Sequence, residues 1–177
     1  MECYILAGGR SARMGEEKGL VSFKNQPLIQ NVIENIPNHL RVSIISSDGR
    51  YLKFAPIVSD VLPNQGPLGG IYTALCTTQE KEVVVVPCDM PLIEASVWEK
   101  LTKQTGNAIL HYQNEMQFFP LKVRIEEKEM LRERIEAGHL RVSEWLRELS
   151  AQKVALTNKE VQSLQSFNTK ESIELFV

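Results

Sequence analysis

The chain has 177 residues, of which 43% are hydrophobic and 24% are charged, and its formal net charge at pH 7 is -2. This size suits one domain with a single buried core, and this composition is typical of an ordinary globular protein rather than a disordered one. The near balance of 20 basic and 22 acidic residues argues against a nucleic-acid binder or a polybasic membrane patch that works through a strong positive field.

Neither a membrane span nor a disulfide framework is indicated by the sequence. The longest aliphatic run, residues 83–86, is far shorter than the ~20 residues that cross a bilayer, and the chain does not open with the basic segment of a signal peptide. Cys3, Cys76 and Cys88 are odd in number and widely separated. We therefore expect three small buried hydrophobic residues in a reducing compartment, and a cytoplasmic location.

Short apolar runs rich in β-branched residues alternate with helical patterns in the first part of the chain. Three runs predict buried strands that end at loops: residues 4–6, 42–45 and 83–86. Apolar residues at helical spacing predict the helices between and after them: Leu28, Val32 and Ile36; Ile71 and Leu75; Val97 and Leu101. Alternating strands and helices predict an α/β protein with a mostly parallel central sheet that is covered on both sides.

The last third of the chain predicts an extension of the same domain. It contains patterns for a charged helix over residues 125–137 closed by Gly138, a helix over 142–149 and a strand at 154–156. Thr169 is a candidate N-cap for a final helix that runs to Phe176. Because nothing marks a linker, we expect residues 1–177 to form a single domain.

The strongest local signal is a glycine loop after the first predicted strand. Residues 6–18 read Leu-Ala-Gly-Gly-Arg-Ser-Ala-Arg-Met-Gly-Glu-Glu-Lys. Glycine lets backbone N–H groups approach a ligand, and such groups together with Arg and Lys side chains suit a polyphosphate. The alternative is a plain turn with solvated charges. The spacing matches neither a Walker A motif nor the dinucleotide fingerprint, so the loop belongs to neither class.

A second signal is Asp89, which comes shortly after the valine-rich run. A carboxylate at the carboxyl end of a central parallel strand faces the crevice in which such sheets bind ligands. Mg²⁺ prefers oxygen ligands, usually one or two carboxylates plus substrate phosphates. Together with the glycine loop, Asp89 favours a magnesium site over the alternative of a surface turn before Pro91.

These motifs resemble the molybdenum cofactor guanylyltransferases, within the larger group of NTP transferases. The glycine loop is similar to the signature of that family, and further similar segments follow in the same order at residues 26–29, 58–60, 66–70, 87–91 and 167–169. The resemblance implies a single-domain, Rossmann-like, three-layer α/β/α nucleotidyltransferase fold. It also implies that residues 1–91 mainly bind nucleotide, and that residues 92–177 mainly bind the acceptor and form the C-terminal helices.

The activity that the resemblance implies is transfer of GMP from GTP to the terminal phosphate of molybdenum-molybdopterin. Arg13 and Lys18 would neutralise the phosphates, Asp89 would bind Mg²⁺, and these three are the implied catalytic residues. Positioning and charge neutralisation would then carry the catalysis, with no covalent intermediate. The implied nucleotide-binding residues are Leu6, Ala7, Gly8, Lys18, Ser46, Asp60 and Asp89.

Two alternatives to this function stay open at the level of sequence. One is a related nucleotidyltransferase that uses CTP or another phosphorylated acceptor, and the other is a non-catalytic nucleotide-binding module. The preference for GTP depends on Gly8, because similar cytidylyl enzymes show Leu-Ala-Ala-Gly where this chain shows Leu-Ala-Gly-Gly. The expected partners are the two substrates, with transient contact to other cofactor-biosynthesis proteins or molybdoenzymes left open, and neither nucleic acid nor membrane is expected.

Overall fold

The computed structural model describes residues 1–8, 17–169 and 172–173. The strands in these ranges are β1 (Glu2–Leu6), β2 (Ser22–Phe23), β3 (Gln26–Pro27), β4 (Arg41–Ile45), β5 (Ile57–Val58), β6 (Glu82–Pro87), β7 (Ala108–Tyr112), β8 (Glu115–Arg124) and β9 (Gln152–Ala155). The α-helices are α1 (Leu28–Asn35), α2 (Gly66–Thr77), α3 (Ala95–Lys103), α4 (Lys128–Glu136), α5 (Val142–Glu148) and α6 (Asn158–Ser163). Short 3₁₀ helices span Lys18–Leu20, Gly49–Lys53 and Ile125–Glu127.

One mixed sheet organises the fold, with seven strands in the order β5-β4-β1-β6-β8-β7-β9. Strand β1 is parallel to β4 and β6, β4 is parallel to β5, and β7 is parallel to β9. Within this sheet of described strands, β8 alone is antiparallel to its neighbours, β6 and β7, and β2 and β3 form a separate antiparallel pair. The connection from β7 to β8 has room only for residues 113 and 114, and so short a connection forces adjacent strands to run in opposite directions. The predicted mostly parallel sheet is confirmed.

Strand β6 shows why the sheet is buried on both faces. Its valines alternate between two hydrophobic clusters, with Val84 and Val86 in one and Val83 and Val85 in the other, and all four are 0% exposed. The first cluster includes residues of α1 and α3, and the second includes residues of α2, α4 and α5. Helices therefore cover both faces, as predicted from the alternation of strands and helices.

The C-terminal third follows its predicted pattern closely. The charged helix is a 3₁₀ turn that continues into α4, and Gly138 follows it with a positive φ of 78°. Helix α5 lies where a helix was predicted, and β9 overlaps the predicted strand at 154–156 but begins two residues earlier, whereas helix α6 was not predicted. The Thr169 hydroxyl accepts a hydrogen bond from the backbone N–H of Ser172 at 3.2 Å, as expected of an N-cap. The rest of that predicted helix, residues 170–171 and 174–176, lies outside the described residues.

The expectation that all three cysteines are buried is wrong for one of them. Cys3 and Cys88 are buried, but Cys76 is exposed. Cys76 lies in the last turn of α2, where the neighbouring Thr77 also reaches solvent, so the end of this helix is not covered. Across the described ranges, no helix is both long enough and apolar enough to cross a membrane.

Candidate active site

Four parallel strands end together at one edge of the sheet. We term this the carboxyl edge, meaning the residues that directly follow β1, β4, β5 and β6. The backbone N–H of Ala7 donates to the carbonyl of Ile45 at 3.0 Å, and the N–H of Cys88 donates to the carbonyl of Leu6 at 3.0 Å. Strand pairing thus continues one residue past the strand ends, and it fixes the backbone from which the candidate site residues project.

Asp89 is the most buried acidic side chain at the carboxyl edge, with a residue exposure of 7%. Its Oδ2 accepts a hydrogen bond from the Lys18 ammonium group, and the two form an ion pair. Its Oδ1 is buried without a hydrogen-bond partner among the described residues. Burying a carboxylate oxygen without a partner is costly, so this atom indicates a group built to bind something beyond the side chains that surround it.

Lys18 reaches Asp89 from the short helix Lys18–Leu20. Gly19 holds this helix close to Tyr51, because a Cβ on Gly19 would lie 2.6 Å from the Tyr51 hydroxyl oxygen. Any larger residue would push the helix away from Tyr51. The sequence pattern singled out Lys18 but not the glycine that follows it.

Asn168 is a site residue that the predicted set omitted. Its Oδ1 accepts a second hydrogen bond from the Lys18 ammonium group, although the two residues are 150 positions apart. The backbone N–H of Phe167 donates to the carbonyl oxygen of Asp89 at 2.9 Å, which ties this segment to the carboxyl edge. The resemblance of residues 167–169 to a segment of the family is the sequence signal that points to Asn168.

Asp60 and Gly8 face each other across the carboxyl edge. A Cβ on Gly8 would lie 3.3 Å from Asp60 Oδ2, closer than a side chain normally sits without displacing its neighbour. Burial raises the pKa of Asp60, and a hydrogen bond with Thr73 acts in the opposite direction. The absence of a side chain at Gly8 therefore keeps space open beside a half-buried carboxyl group.

Ser46 lies at the same edge in a different setting. It is 1% exposed, its N–H donates to the carbonyl of Val58 at 3.0 Å, and its Oγ accepts a bond from the Asp48 N–H at 3.1 Å. Its hydroxyl thus supports the loop that follows β4. A nucleotide contact by Ser46 stays a prediction.

Gly69 and Gly70, in the segment 66–70 that resembles the second glycine segment of the family, lie at the start of helix α2. A Cβ on Gly70 would lie 2.7 Å from Leu6 Cδ2, and a Cβ on Gly69 would lie 2.8 Å from the carbonyl oxygen of Leu62. The missing side chains at these glycines thus allow close packing within the protein, because the first turn of α2 can lie against the end of β1.

The predicted site residues therefore gather largely as expected. Six of them follow or end strands at the carboxyl edge, and Lys18 reaches Asp89 from its own short helix: Leu6, Ala7, Gly8, Ser46, Asp60, Asp89 and Lys18. Arg13 and the second glycine of the loop, Gly9, lie outside the described residues. In the described part of the chain, no group of three or more His, Cys, Asp or Glu side chains could hold a metal ion by itself.

A parallel sheet with a glycine, a lysine and a buried aspartate at its carboxyl edge is the arrangement of a nucleotide-binding α/β protein. Residues 3–155 match the family model of the MobA-like NTP transferase domain, and the chain belongs to this family. Its class of reaction is therefore nucleotidyl transfer, and the predicted enzyme class is confirmed.

Individual relatives agree with this family over the full length of the chain. The molybdenum cofactor guanylyltransferase of Haemophilus influenzae is 33% identical over 186 residues, covering 98% of this chain and 96% of that protein. A crystal structure from Aquifex aeolicus has a TM-score of 0.79 at 26% identity, covering 96% of this chain and 94% of the other. Molybdopterin-guanine dinucleotide biosynthesis protein A from Archaeoglobus fulgidus has a TM-score of 0.80 at 22% identity, covering 99% and 96%, which supports the predicted fold.

Proposed function

We propose that this protein transfers GMP from GTP to the terminal phosphate of molybdenum-molybdopterin. The observation that best supports this proposal is the Lys18–Asp89 pair at the carboxyl edge. The chain that contains it is similar along its whole length to proteins named molybdenum cofactor guanylyltransferase. A phosphate oxygen of the acceptor attacks the α-phosphorus of GTP. The bond from that phosphorus to the oxygen bridging it to the β-phosphorus breaks, and pyrophosphate leaves with the electron pair.

The donor set at Asp89 fits Mg²⁺. Its buried Oδ1 has no partner among the described residues, and the lack of a larger acidic cluster there leaves the other ligand positions to phosphate and water oxygens, as is usual for Mg²⁺. When bound, the ion supplies charge neutralisation at the phosphates. In this proposal Asp89 binds Mg²⁺ and fixes its place relative to the nucleotide.

Lys18 contributes a second positive charge to the same place. A phosphate oxygen bound near Asp89 would lie within reach of the Lys18 ammonium group, which the carboxamide of Asn168 orients. Charge-assisted hydrogen bonds to phosphate are among the stronger polar contacts in proteins. We infer that Lys18 stabilises the charge that develops on the departing pyrophosphate, together with Arg13.

The base and ribose would lie along the ends of β1, β4 and β5. Leu6, Ala7 and Gly8 offer backbone groups there, with Ser46 and Asp60 beside them. In this proposal the missing side chain at Gly8 leaves room for the longer purine, and buried polar groups that lose their partners discriminate strongly against the wrong base. This supports GTP over CTP.

The proposal also covers the division of the chain between the two substrates, the location of the protein and its partners. Residues 1–91 would mainly bind nucleotide, and residues 92–177 would mainly bind the pterin acceptor and supply the C-terminal helices of one domain. The proposed location is the cytoplasm. Transient contact with other cofactor-biosynthesis proteins or molybdoenzymes would deliver the acceptor or collect the product.

One experiment tests this function. Purified protein is incubated with molybdenum cofactor, Mg²⁺ and each of the four NTPs in turn, and both pyrophosphate and the dinucleotide product are measured. We expect product with GTP and a lower kcat/KM with CTP. Preferred use of CTP would instead identify a cytidylyl enzyme, and nucleotide binding without pyrophosphate release would identify a non-catalytic module.

The glycine at position 8 allows a matched comparison in the same assay. Gly8→Ala should lower kcat/KM for GTP, because the new Cβ would lie 3.3 Å from Asp60 Oδ2. Gly49→Ala is the control, since a Cβ at Gly49 meets nothing within 4 Å. Equal GTP use by both variants would contradict a base site beside Gly8.

A further inference from the structure

Thr73 is a buried residue of α2 whose hydroxyl makes contacts beyond its own helix. It is 0% exposed, and its Oγ1 accepts a hydrogen bond from the backbone N–H of Val61 at 3.0 Å. The same oxygen lies 2.9 Å from the carbonyl oxygen of Gly69 and 3.3 Å from Oδ1 of Asp60. The turn that follows β5 is thus connected to α2 through both its backbone and its acidic side chain.

The contact with Gly69 alone would have no functional meaning. Threonine hydroxyls in helices commonly bond to the carbonyl four residues earlier, and Thr77 makes that bond to the carbonyl of Thr73 at 2.8 Å. A hydroxyl has only one proton to donate, so Gly69 and Asp60 compete for the proton of Thr73. What distinguishes Thr73 from Thr77 is the second acceptor, a carboxyl group at the carboxyl edge.

We propose that Thr73 is a positioning residue that holds Asp60 in place for nucleotide binding. The Thr73 hydroxyl lies 3.3 Å from Oδ1 of Asp60. Oδ2 of the same carboxyl group is directed at Gly8, where a Cβ would lie 3.3 Å from it. One oxygen is thereby anchored and the other faces the space beside the glycine loop. The inference rests on the proposed nucleotide contact of Asp60.

The protonation chemistry of Asp60 supports this role. Burial raises the pKa of Asp60, and the hydrogen bond with Thr73 counteracts part of that rise. A hydroxyl that donates to Oδ1 therefore favours the ionised carboxylate as well as its orientation. Loss of the hydroxyl would leave a carboxyl group that is both less charged and free to rotate.

The test uses three single variants of the full chain. Thr73→Val removes the hydroxyl at nearly constant volume, Thr73→Ser retains it, and Thr77→Val removes an ordinary helical bond as the matched control. Calorimetric titration with GTP and Mg²⁺ gives Kd, and steady-state assays separate KM from kcat. We expect Thr73→Val to raise Kd and KM about tenfold, since a hydrogen bond to a charged group is lost, while kcat changes less than about twofold. Thr73→Ser and Thr77→Val should both bind GTP like wild type.

A double-mutant cycle shows whether Thr73 acts through Asp60. In the background of Asp60→Ala, adding Thr73→Val should weaken GTP binding by less than about twofold, because the carboxyl group that Thr73 positions is already absent. A full tenfold loss in that background, or a Kd near wild type for Thr73→Val alone, would overturn the inference. If Thr73→Val does not fold, Thr73→Ser carries the test. A higher Kd for GTP in Thr73→Ser than in wild type would then overturn the inference.

The same titrations keep this inference apart from the proposed function. A wild-type protein that binds CTP in place of GTP would refute guanylyl transfer, and the variants would then be compared with CTP under the same criteria. Binding of no NTP by wild type would refute both. Wild-type use of GTP with an unaltered Thr73→Val would refute only the role of Thr73.

Discussion

Two lysine–carboxylate pairs lie near opposite ends of β6, and they differ in how completely they are satisfied. The amino-edge pair consists of Lys122 and Glu82, with 2.6 Å between Nζ and Oε2. Lys122 also donates to the carbonyl of Gln104, and Glu82 Oε1 accepts from the Gly106 N–H at 2.5 Å. The Lys122 side chain is 1% exposed and that of Glu82 is 23% exposed, so the cation of this pair is buried, and both carboxylate oxygens are bonded.

The carboxyl-edge pair of Lys18 and Asp89 contains the same chemical groups in an incomplete network. Oδ2 of Asp89 is paired with Lys18, but Oδ1 has no partner within the described part of the chain. The Lys18 side chain is 20% exposed, so a ligand can reach it. The difference teaches that a buried ion pair does not mark a functional site by itself. What sets the proposed site apart is an unsatisfied acceptor beside a cation that solvent can reach.

The largest expected effect concerns the amino-edge pair. Lys122→Met should lower the free energy of unfolding by about 3 kcal/mol, because it leaves Glu82 without its counter-ion, and the partial exposure of Glu82 keeps the loss at the low end for buried pairs. Urea denaturation measures this. Lys103→Met, which breaks an exposed pair with Glu99, should cost less than about 1 kcal/mol. Equal losses in both variants would contradict the comparison.

Asp89→Ala should have the next largest effect, and on the rate rather than on stability. Removal of the group that binds Mg²⁺ should slow pyrophosphate release at least ~100-fold while the protein stays folded. Glu82→Ala is the matched control at the other end of β6, and it should destabilise the fold while the folded fraction keeps its turnover. Near-normal activity of Asp89→Ala in saturating Mg²⁺ would refute the assignment.

Lys18→Ala should have a smaller effect on the same reaction. Loss of one charge-assisted bond to phosphate should lower the rate at limiting GTP by about tenfold. Initial rates over a range of GTP concentrations measure this, with Lys53→Ala as the control, since that ammonium group lies over the Phe54 ring. An unchanged rate would show that Lys18 serves only to neutralise Asp89.

The smallest expected effect is the acid dependence of the amino-edge pair. Burial raises the pKa of Glu82, but the bonds from Lys122 and Gly106 outweigh it, so the net pKa lies below its ordinary value of 4.5. A carboxyl group with a lowered folded-state pKa stabilises the fold above its unfolded-state pKa, and this contribution disappears as the pH falls through the folded-state pKa. Urea denaturation between pH 6 and pH 3, roughly spanning ordinary carboxyl pKa values, should therefore show a shallower acid loss for Glu82→Gln than for wild type. Identical slopes would contradict this.

The fold could be predicted in outline because the strands in the first half of the chain are short apolar runs. The valine run of β6 and the runs of β1 and β4 are apolar on both faces, which only a covered parallel sheet explains. The hairpin of β7 and β8 was not predicted. Strand β8 contains Lys122, and a lysine in a buried strand breaks the apolar pattern unless its partner Glu82 is known.

The candidate site, like the fold, could be predicted only in part from the sequence. Residues that follow parallel strands must meet at one edge, so Gly8 and Asp89 could be grouped from the strand pattern. Asp60 was added only through the family resemblance, because the short strand β5 before it gave no apolar run of its own. Contacts made by chain segments far apart could not. Asn168 reaches Lys18 across 150 positions, and Thr73 reads as an ordinary helical threonine until Asp60 is seen beside it.

The three cysteines differ in burial, so their reactivity toward an alkylating reagent reports three different levels of opening of the fold. Cys76 is exposed, Cys88 is 6% exposed next to Asp89, and Cys3 is 0% exposed in β1, an interior strand of the sheet. Burial raises the pKa of Cys88 to about 12, with the neighbouring Asp89 adding to the rise, so its thiol reacts only when the carboxyl edge opens to solvent. Alkylation followed by mass spectrometry would thus report solvent access at Cys76, local opening of the carboxyl edge at Cys88 and global unfolding at Cys3, without any engineered label.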